Sequence, residues 1–184
     1  MARRAALFGK LPSHGDFVAR NLDPDARQAW DDWASRGLEA ARERLRDDFE
    51  PAHDVAPPWR FQLGPGRFGA GWRAGALAPS VDSAGRRFFI MLAADDLSPS
   101  EAALGGETAA SELEEALYLA FAEGLTADAL VARASDVIAT LDWTGEDAQS
   151  PGERWWTGDG HRLDGVDVAD PDLVTRILTV ASEA

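Results

Sequence analysis

WRFQLGPGRFGAGWRAGALAPSVDSAGRRFFIMLAA, residues 59–94, admits two opposed readings. It contains GPGRFG, Gly64 to Gly69, a literal G-x-G-x-x-G, with Asp82 eighteen residues past Gly64. If a helix opened at these glycines, the stretch would begin a βαβ unit and bind a dinucleotide on a parallel sheet. The residues that follow, AGWRAGALAP, carry more glycine and proline and no apolar stripe at helical spacing. The βαβ unit is therefore absent and the nucleotide reading fails with it. WRFQLG (59–64) alternates apolar and polar as a half-buried strand does, and RRFFIMLAA (86–94) is the nearly continuous apolar run expected at the middle of a sheet. Between them, GRFGAGWRAGALAPS (66–80) reads as a strand interrupted by turns or a bulge. Short connections between such strands make them antiparallel neighbours.

On either side of this core the pattern changes to helix. Asp23 and Pro24 provide an N-cap and a proline at the first helical position. Trp30, Trp33, Ala34, Leu38, Ala41, Leu45 and Phe49 then recur every three or four residues, which predicts an amphipathic helix over 24–48 with both tryptophans in the core. Further stripes predict helices over 108–123, over 126–141 behind a Thr126 cap, and over 171–182 behind Asp170–Pro171. RRAALFGK (3–10) and RWWT (154–157) read as short strands, DFVARNL as an extended piece, GDGH as a turn and EDAQSPGE (146–153) as a loop. The expectation is one α/β domain over 1–184, a mixed and mostly antiparallel sheet with helices on both faces, a three-layer α/β/α sandwich. Neighbours on a strand point to opposite faces, so one of Trp155 and Trp156 should be buried and the other exposed or at a seam.

Composition narrows the function. The chain has 184 residues, no cysteine, and a formal net charge of −14 from 32 acidic and 18 basic residues. This excludes thiol chemistry and thiolate metal sites, and argues against nucleic acid, whose phosphates the chain repels. All but one of the basic residues are arginine, the exception being Lys10. The apolar run Ala5 to Phe8 is too short for a signal peptide and no run spans a membrane, so a soluble cytoplasmic protein without membrane insertion is expected. The histidines, His14, His53 and His161, are scattered and show no metal-ligand spacing. No cofactor is expected.

GKLPSHGDF, Gly9 to Phe17, concentrates the candidate chemistry. Ser13, His14 and Asp16 have the residue types of a hydrolase triad, but adjacent side chains in a turn usually point apart, and the chain has no G-x-S-x-G elbow. As a phosphate loop the stretch also fails, because the glycine needed five residues before Gly9 falls on Arg4. As a turn it is well made, with Pro12 fixing φ, Gly15 free to take a positive φ, and Ser13 and Asp16 able to bond nearby backbone N–H groups.

Four separated pieces, GKLPSHGDFVARNL (9–22), WDDWASRGL (30–38), WRFQLGPGRFGAGWRAGALAPSVDSAGRRF (59–88) and RWWTGDG (154–160), together resemble the TagF family, also called ImpM, associated with type VI secretion in Gram-negative bacteria. One departure is Phe89, at a place where the family commonly has proline. The resemblance implies a cytoplasmic accessory protein that represses the secretion machine post-translationally, through the forkhead-associated scaffold Fha, with no catalytic residues. The residues singled out as protein-binding or motif core are Ser13, His14, Asp16, Phe17, Arg20, Ser80, Asp82, Arg86, Trp155 and Trp156. They form either a recognition surface, with arginines and aspartates bonding between the first turn and the 80–86 loop, or an internal brace. The competing class is a small hydrolase or phosphoryl-handling enzyme using His14 with Asp16 or Asp82.

Overall fold

The structure, a computed structural model, describes residues 3–145 and 150–180. In chain order its strands are β1 (Ala5–Gly9), β2 (Val18–Arg20), β3 (Trp59–Leu63), β4 (Trp72–Val81), β5 (Arg87–Leu97), β6 (Arg154–Trp156) and β7 (Arg162–Asp164). Its helices are α1 (Pro24–Leu45), α2 (Phe49–Val55), α3 (Pro99–Glu123), α4 (Ala127–Thr140) and α5 (Leu173–Thr179). The strands form one seven-stranded sheet in the order β2-β1-β5-β4-β3-β6-β7.

Every pairing in this sheet is antiparallel, in line with the mixed and mostly antiparallel sheet expected; the one difference is that no pair among the described residues is parallel. The topology explains the difference. Each helical excursion, α1–α2 after β2 and α3–α4 after β5, carries the chain to a strand that is not a neighbour of the one it left. No crossover therefore has to place a parallel strand beside its predecessor. β5 lies in the interior of the sheet between β1 and β4, as its apolar run requires.

Helices cover both faces, giving the three-layer sandwich. α1, α2 and α5 pack on one face over Trp30, Trp33, Trp59, Phe61, Phe68 and Trp155. α3 and α4 pack on the other over Ala74, Ala76, Ala78, Ile90, Leu92 and Leu113. Strand alternation sorts the side chains: Trp59 and Phe61 face the first core, while Arg60 and Gln62 face α3.

Several boundaries move for physical reasons. α1 starts where its cap places it, the Asp23 carboxylate accepting from the Ala26 N–H at 2.8 Å. It ends at Arg46, whose φ of 51° breaks the helix, and a short 3-10 turn leads into α2. α3 begins nine residues before the predicted start, at a capping box in which Ser98 and Glu101 bond each other's backbone N–H groups. Gly105 and Gly106 lie inside it because neighbours leave no room for a Cβ, which would come within 2.6 Å of Trp143 and 2.4 Å of Gln62 respectively. β7 follows directly on the GDGH turn, in a stretch to which the sequence pattern assigns no element. In the predicted loop over 146–153, residues 146–149 fall outside the described residues, as do the last two residues of the predicted 171–182 helix.

The G-x-G-x-x-G stretch is a hairpin connection between β3 and β4. Gly66 and Gly69 bridge each other with φ of 151° and 142°, and Phe68 folds inward to stack on Trp30 at 3.9 Å. There is no helix N-terminus to receive a phosphate, so the dinucleotide reading is excluded by geometry as well as by pattern. Phe89 is buried in the α1 core and pairs with Pro79 in the ordinary β4–β5 register, so its replacement of proline leaves the ladder intact.

Candidate functional site

The GKLPSHGDF turn leaves the end of β1 and meets the hairpin that joins β4 to β5. The turn can pass this close because Gly9 has φ of 134°, and a Cβ there would come 2.1 Å from the Phe89 carbonyl oxygen. Backbone bonds fasten the two loops together. The Lys10 N–H donates to Phe89 O at 2.9 Å, and the Ser83 N–H donates to His14 O at 2.8 Å.

Asp82 is the hub of this corner. Its side chain is wholly buried, and both carboxylate oxygens are occupied. Oδ1 accepts from the Ala84 and Arg86 N–H groups at 3.0 and 2.9 Å. Oδ2 accepts from Lys10 Nζ at 3.0 Å and Arg86 Nε at 2.6 Å. Burial pushes this carboxyl upward, but the backbone bonds from Arg86 and Ala84 and the two cations outweigh it and hold the group well below the usual carboxylate range. Ser80, also buried, donates to Lys10 O at 2.7 Å, and Arg86 Nη2 donates to Gly15 O at 2.8 Å.

Above this polar hub lies an aromatic cluster. Phe17 stacks on Phe8 at 5.9 Å and meets Phe88 edge-on at 4.9 Å, while Lys10 Nζ sits 5.0 Å from the Phe17 ring centre. Phe17 is 38% exposed, one of three large apolar side chains left open to solvent among the described residues. Beside it is an open groove of about 500 Å³, lined in part by Lys10, Phe17, Arg42, Glu50, Arg86 and Arg87.

The ten singled-out residues therefore divide into groups. Ser80, Asp82 and Arg86, with Phe17 above them, lie where the first turn meets the 80–86 loop. Arg20 does not: its Nε donates to Asp128 at 2.6 Å, on the first turn of α4. Asp16 takes no part in the cluster and accepts only from the Phe17 N–H, at 2.8 Å. The tryptophan pair departs from expectation too, since Trp155 and Trp156 are both buried. Trp155 lies in the α1 core, stacked on Trp33 at 5.8 Å. Trp156, on the α3 face, is covered by the Arg154 guanidinium at 4.7 Å. A sheet with helices on both sides leaves neither face of that strand open.

Ser13 and His14 do line up, against the expectation that they point apart. Ser13 Oγ is 2.9 Å from His14 Nδ1. The hydroxyl, however, donates its proton to Leu125 O at 2.8 Å, so His14 Nδ1–H donates to the serine oxygen. This polarity is the reverse of a base drawing a proton from a nucleophile. The contact pins the turn to the loop before α4.

Among the residues of this corner that were not singled out from the sequence are Lys10, Arg42 and Phe88. Lys10 carried a signal, being the lone lysine among 18 basic residues. Arg42 carried none, because only the tertiary structure brings α1 to this loop. Among the described residues no group of three or more His, Asp or Glu is arranged to hold a metal ion, and no helix is long and apolar enough to cross a membrane.

Comparison with known proteins adds the family. No curated protein matches the chain. The crystal structure of PA0076 from Pseudomonas aeruginosa superposes with a TM-score of 0.61 and 26% identity, over 95% of this chain and 76% of that one. The family profile described as the TagF N-terminal domain, type VI secretion system-associated, matches residues 6–137. That span takes in both loops of the Asp82 corner and the helices that flank it, and the chain belongs to the TagF N-terminal domain family associated with type VI secretion.

Proposed function

We propose that the chain is a non-enzymatic, cytoplasmic repressor of type VI secretion that acts by binding a protein partner, with the forkhead-associated scaffold Fha as the partner to test first. The family supplies the secretion context. The observation that carries the binding role is Phe17, an aromatic ring held by stacking against Phe8 and Phe88 yet open on its outer side, next to the exposed Arg86. Rigid aromatics beside arginine are what protein interfaces use as anchors. Asp82, Lys10 and Ser80 brace this surface from below.

The test is calorimetric titration of the full chain against the scaffold at low and moderate salt. Saturable binding that weakens with salt is expected, since a chain of net charge −14 favours a partner with a basic rim. Phe17→Ala, which removes a partly exposed ring, should weaken it about tenfold while the protein still melts cooperatively. Absence of binding at both salt concentrations sinks this partner.

A hydrolase reading has one observation in its favour, the 2.9 Å contact between Ser13 and His14. The hydrogen-bond polarity there counts against it, and the Asp82 carboxylate is committed to Lys10 and Arg86. Turnover of a nitrophenyl ester or phosphate that disappears in both Ser13→Ala and His14→Ala would revive it.

A further inference from the structure

The groove beside Phe17 has the opposite charge to the rest of the molecule. Its lining carries four cations, Lys10, Arg42, Arg86 and Arg87, against one carboxylate, Glu50. Two of the cations are committed: Lys10 to Asp82, and Arg87 to Glu50 at 3.1 Å and Asp54 at 2.8 Å. The other two have capacity left. Arg86 bonds Asp82 through Nε and Gly15 through Nη2, and its side chain is 61% exposed. Arg42, exposed on α1, makes no ion pair among the described residues, and its guanidinium lies 4.7 Å from the Phe49 ring centre. The floor between them is apolar, formed by Leu38, Phe49 and Phe88.

We infer that this groove binds a short acidic peptide segment of a partner protein, its carboxylates meeting Arg42 and Arg86 and an apolar side chain resting on the Phe17–Phe88 edge. Charge complementarity sets the size of the occupant. A net charge of −14 repels an extended polyanion such as nucleic acid or an anionic membrane, so the groove admits only a segment short enough to lie within the basic spot. Planar, exposed guanidinium groups suit paired carboxylate oxygens. The inference rests on the reading of this corner as a protein-binding face, and it adds that the partner presents an acidic anchor within an otherwise basic or neutral surface.

The probe is a fluorescein-labelled octapeptide of aspartate and glutamate around one phenylalanine, followed by anisotropy against the full chain at about 50 and about 300 mM salt. The control peptide replaces every acid by its amide. Binding of the acidic peptide alone, lost at the higher salt and weakened roughly three- to tenfold by Arg42→Glu, is expected. Arg42 makes no ion pair among the described residues, so this variant loses only the contact with the Phe49 ring and a favourable charge in the last turn of α1, and should still melt cooperatively. Arg42→Gln, which keeps no charge but reverses none, should weaken binding in the same direction. Equal binding of the amide peptide, no binding at low salt, or an unchanged affinity in Arg42→Glu overturns the inference. So does displacement of the peptide by inorganic phosphate at its own low concentration, which would mark a simple anion site. Failure of the scaffold to bind while the acidic peptide does would count against that partner and leave the groove standing. Scaffold binding that ignores Arg42→Glu would do the reverse.

Discussion

The two faces of the sheet are filled by different chemistry. Under α1 and α5 the core is aromatic, with Trp30 stacked on Phe68, Trp33 on Trp155, and Phe61 between Trp30 and Trp155. Under α3 and α4 it is built from small residues, Ala74, Ala76 and Ala78 on the sheet meeting Ala102, Ala109 and Ala116 on the helix. Large rings keep a helix away from the sheet and lock it through many contacts, whereas alanines let a helix lie close to the strands. The aromatic face should therefore fail when a side chain is removed, and the alanine face when one is added. The Asp82 corner lies at the end of the sheet where the α1 side and the α4 side meet, and there charge and hydrogen bonds around Asp82 are added to an aromatic edge, Phe8 and Phe88, that continues from the first core.

Substitutions can break this comparison. Trp30→Ala, which empties a stack, should cost about 3–5 kcal/mol in denaturant unfolding. A cost near zero would mean that the aromatic face collapses to fill the space. Asp82→Asn should come next, because it leaves the Lys10 ammonium buried beside a neutral amide. Adding Lys10→Met to that variant should recover much of the loss of melting temperature, and no recovery would show that the backbone bonds to Asp82 matter more than the ion pair. Ala109→Leu, an addition on the packed side, should cost about 1–3 kcal/mol. If it stabilised the protein instead, the alanine face would not be close-packed.

The pH dependence sharpens the contrast between buried groups. His53 on α2 is buried, and its Nε2–H donates to Phe88 O at 2.7 Å. Burial lowers its pKa, and the bond to Phe88 and the neighbouring Asp54 only partly offset that. The unfolded chain then takes up a proton that the folded chain resists, so stability should decline as pH falls below the ordinary imidazole value of about 6.5. His53→Gln should flatten that decline in a pH series of melts. Asp82 acts in a separate, lower window. Its folded pKa is depressed, so its contribution is full above the ordinary carboxylate value of about 4 and is lost as pH falls through its folded value. The smallest effect belongs to Arg20→Ala, which opens a solvent-exposed pair with Asp128 and should leave the melting temperature close to unchanged.

Much of this molecule is legible in its sequence. Residues 59–94 specify an antiparallel meander because β-strand periodicity and frequent glycine and proline leave no place for a helix. Asp23–Pro24 and Thr126 mark helix starts through local capping, which depends on neighbours in the chain alone. The motif pieces carry the family, and PSVDSAGR with GKLPSHGDF contains the corner's central residues. What the sequence did not determine depends on contacts between distant segments. Gly105 and Gly106 signal a helix break by propensity, yet they lie inside α3 because Trp143 and Gln62 occupy the space their side chains would need. Trp156 is buried because α3 and Arg154 cover the second face of its strand. The Ser13–His14 contact is closed by Leu125, over a hundred residues away. Only the tertiary structure brings Arg42 of α1 to the loop of Arg86, since burial and charge pairing are settled between surfaces that the chain brings together when it folds.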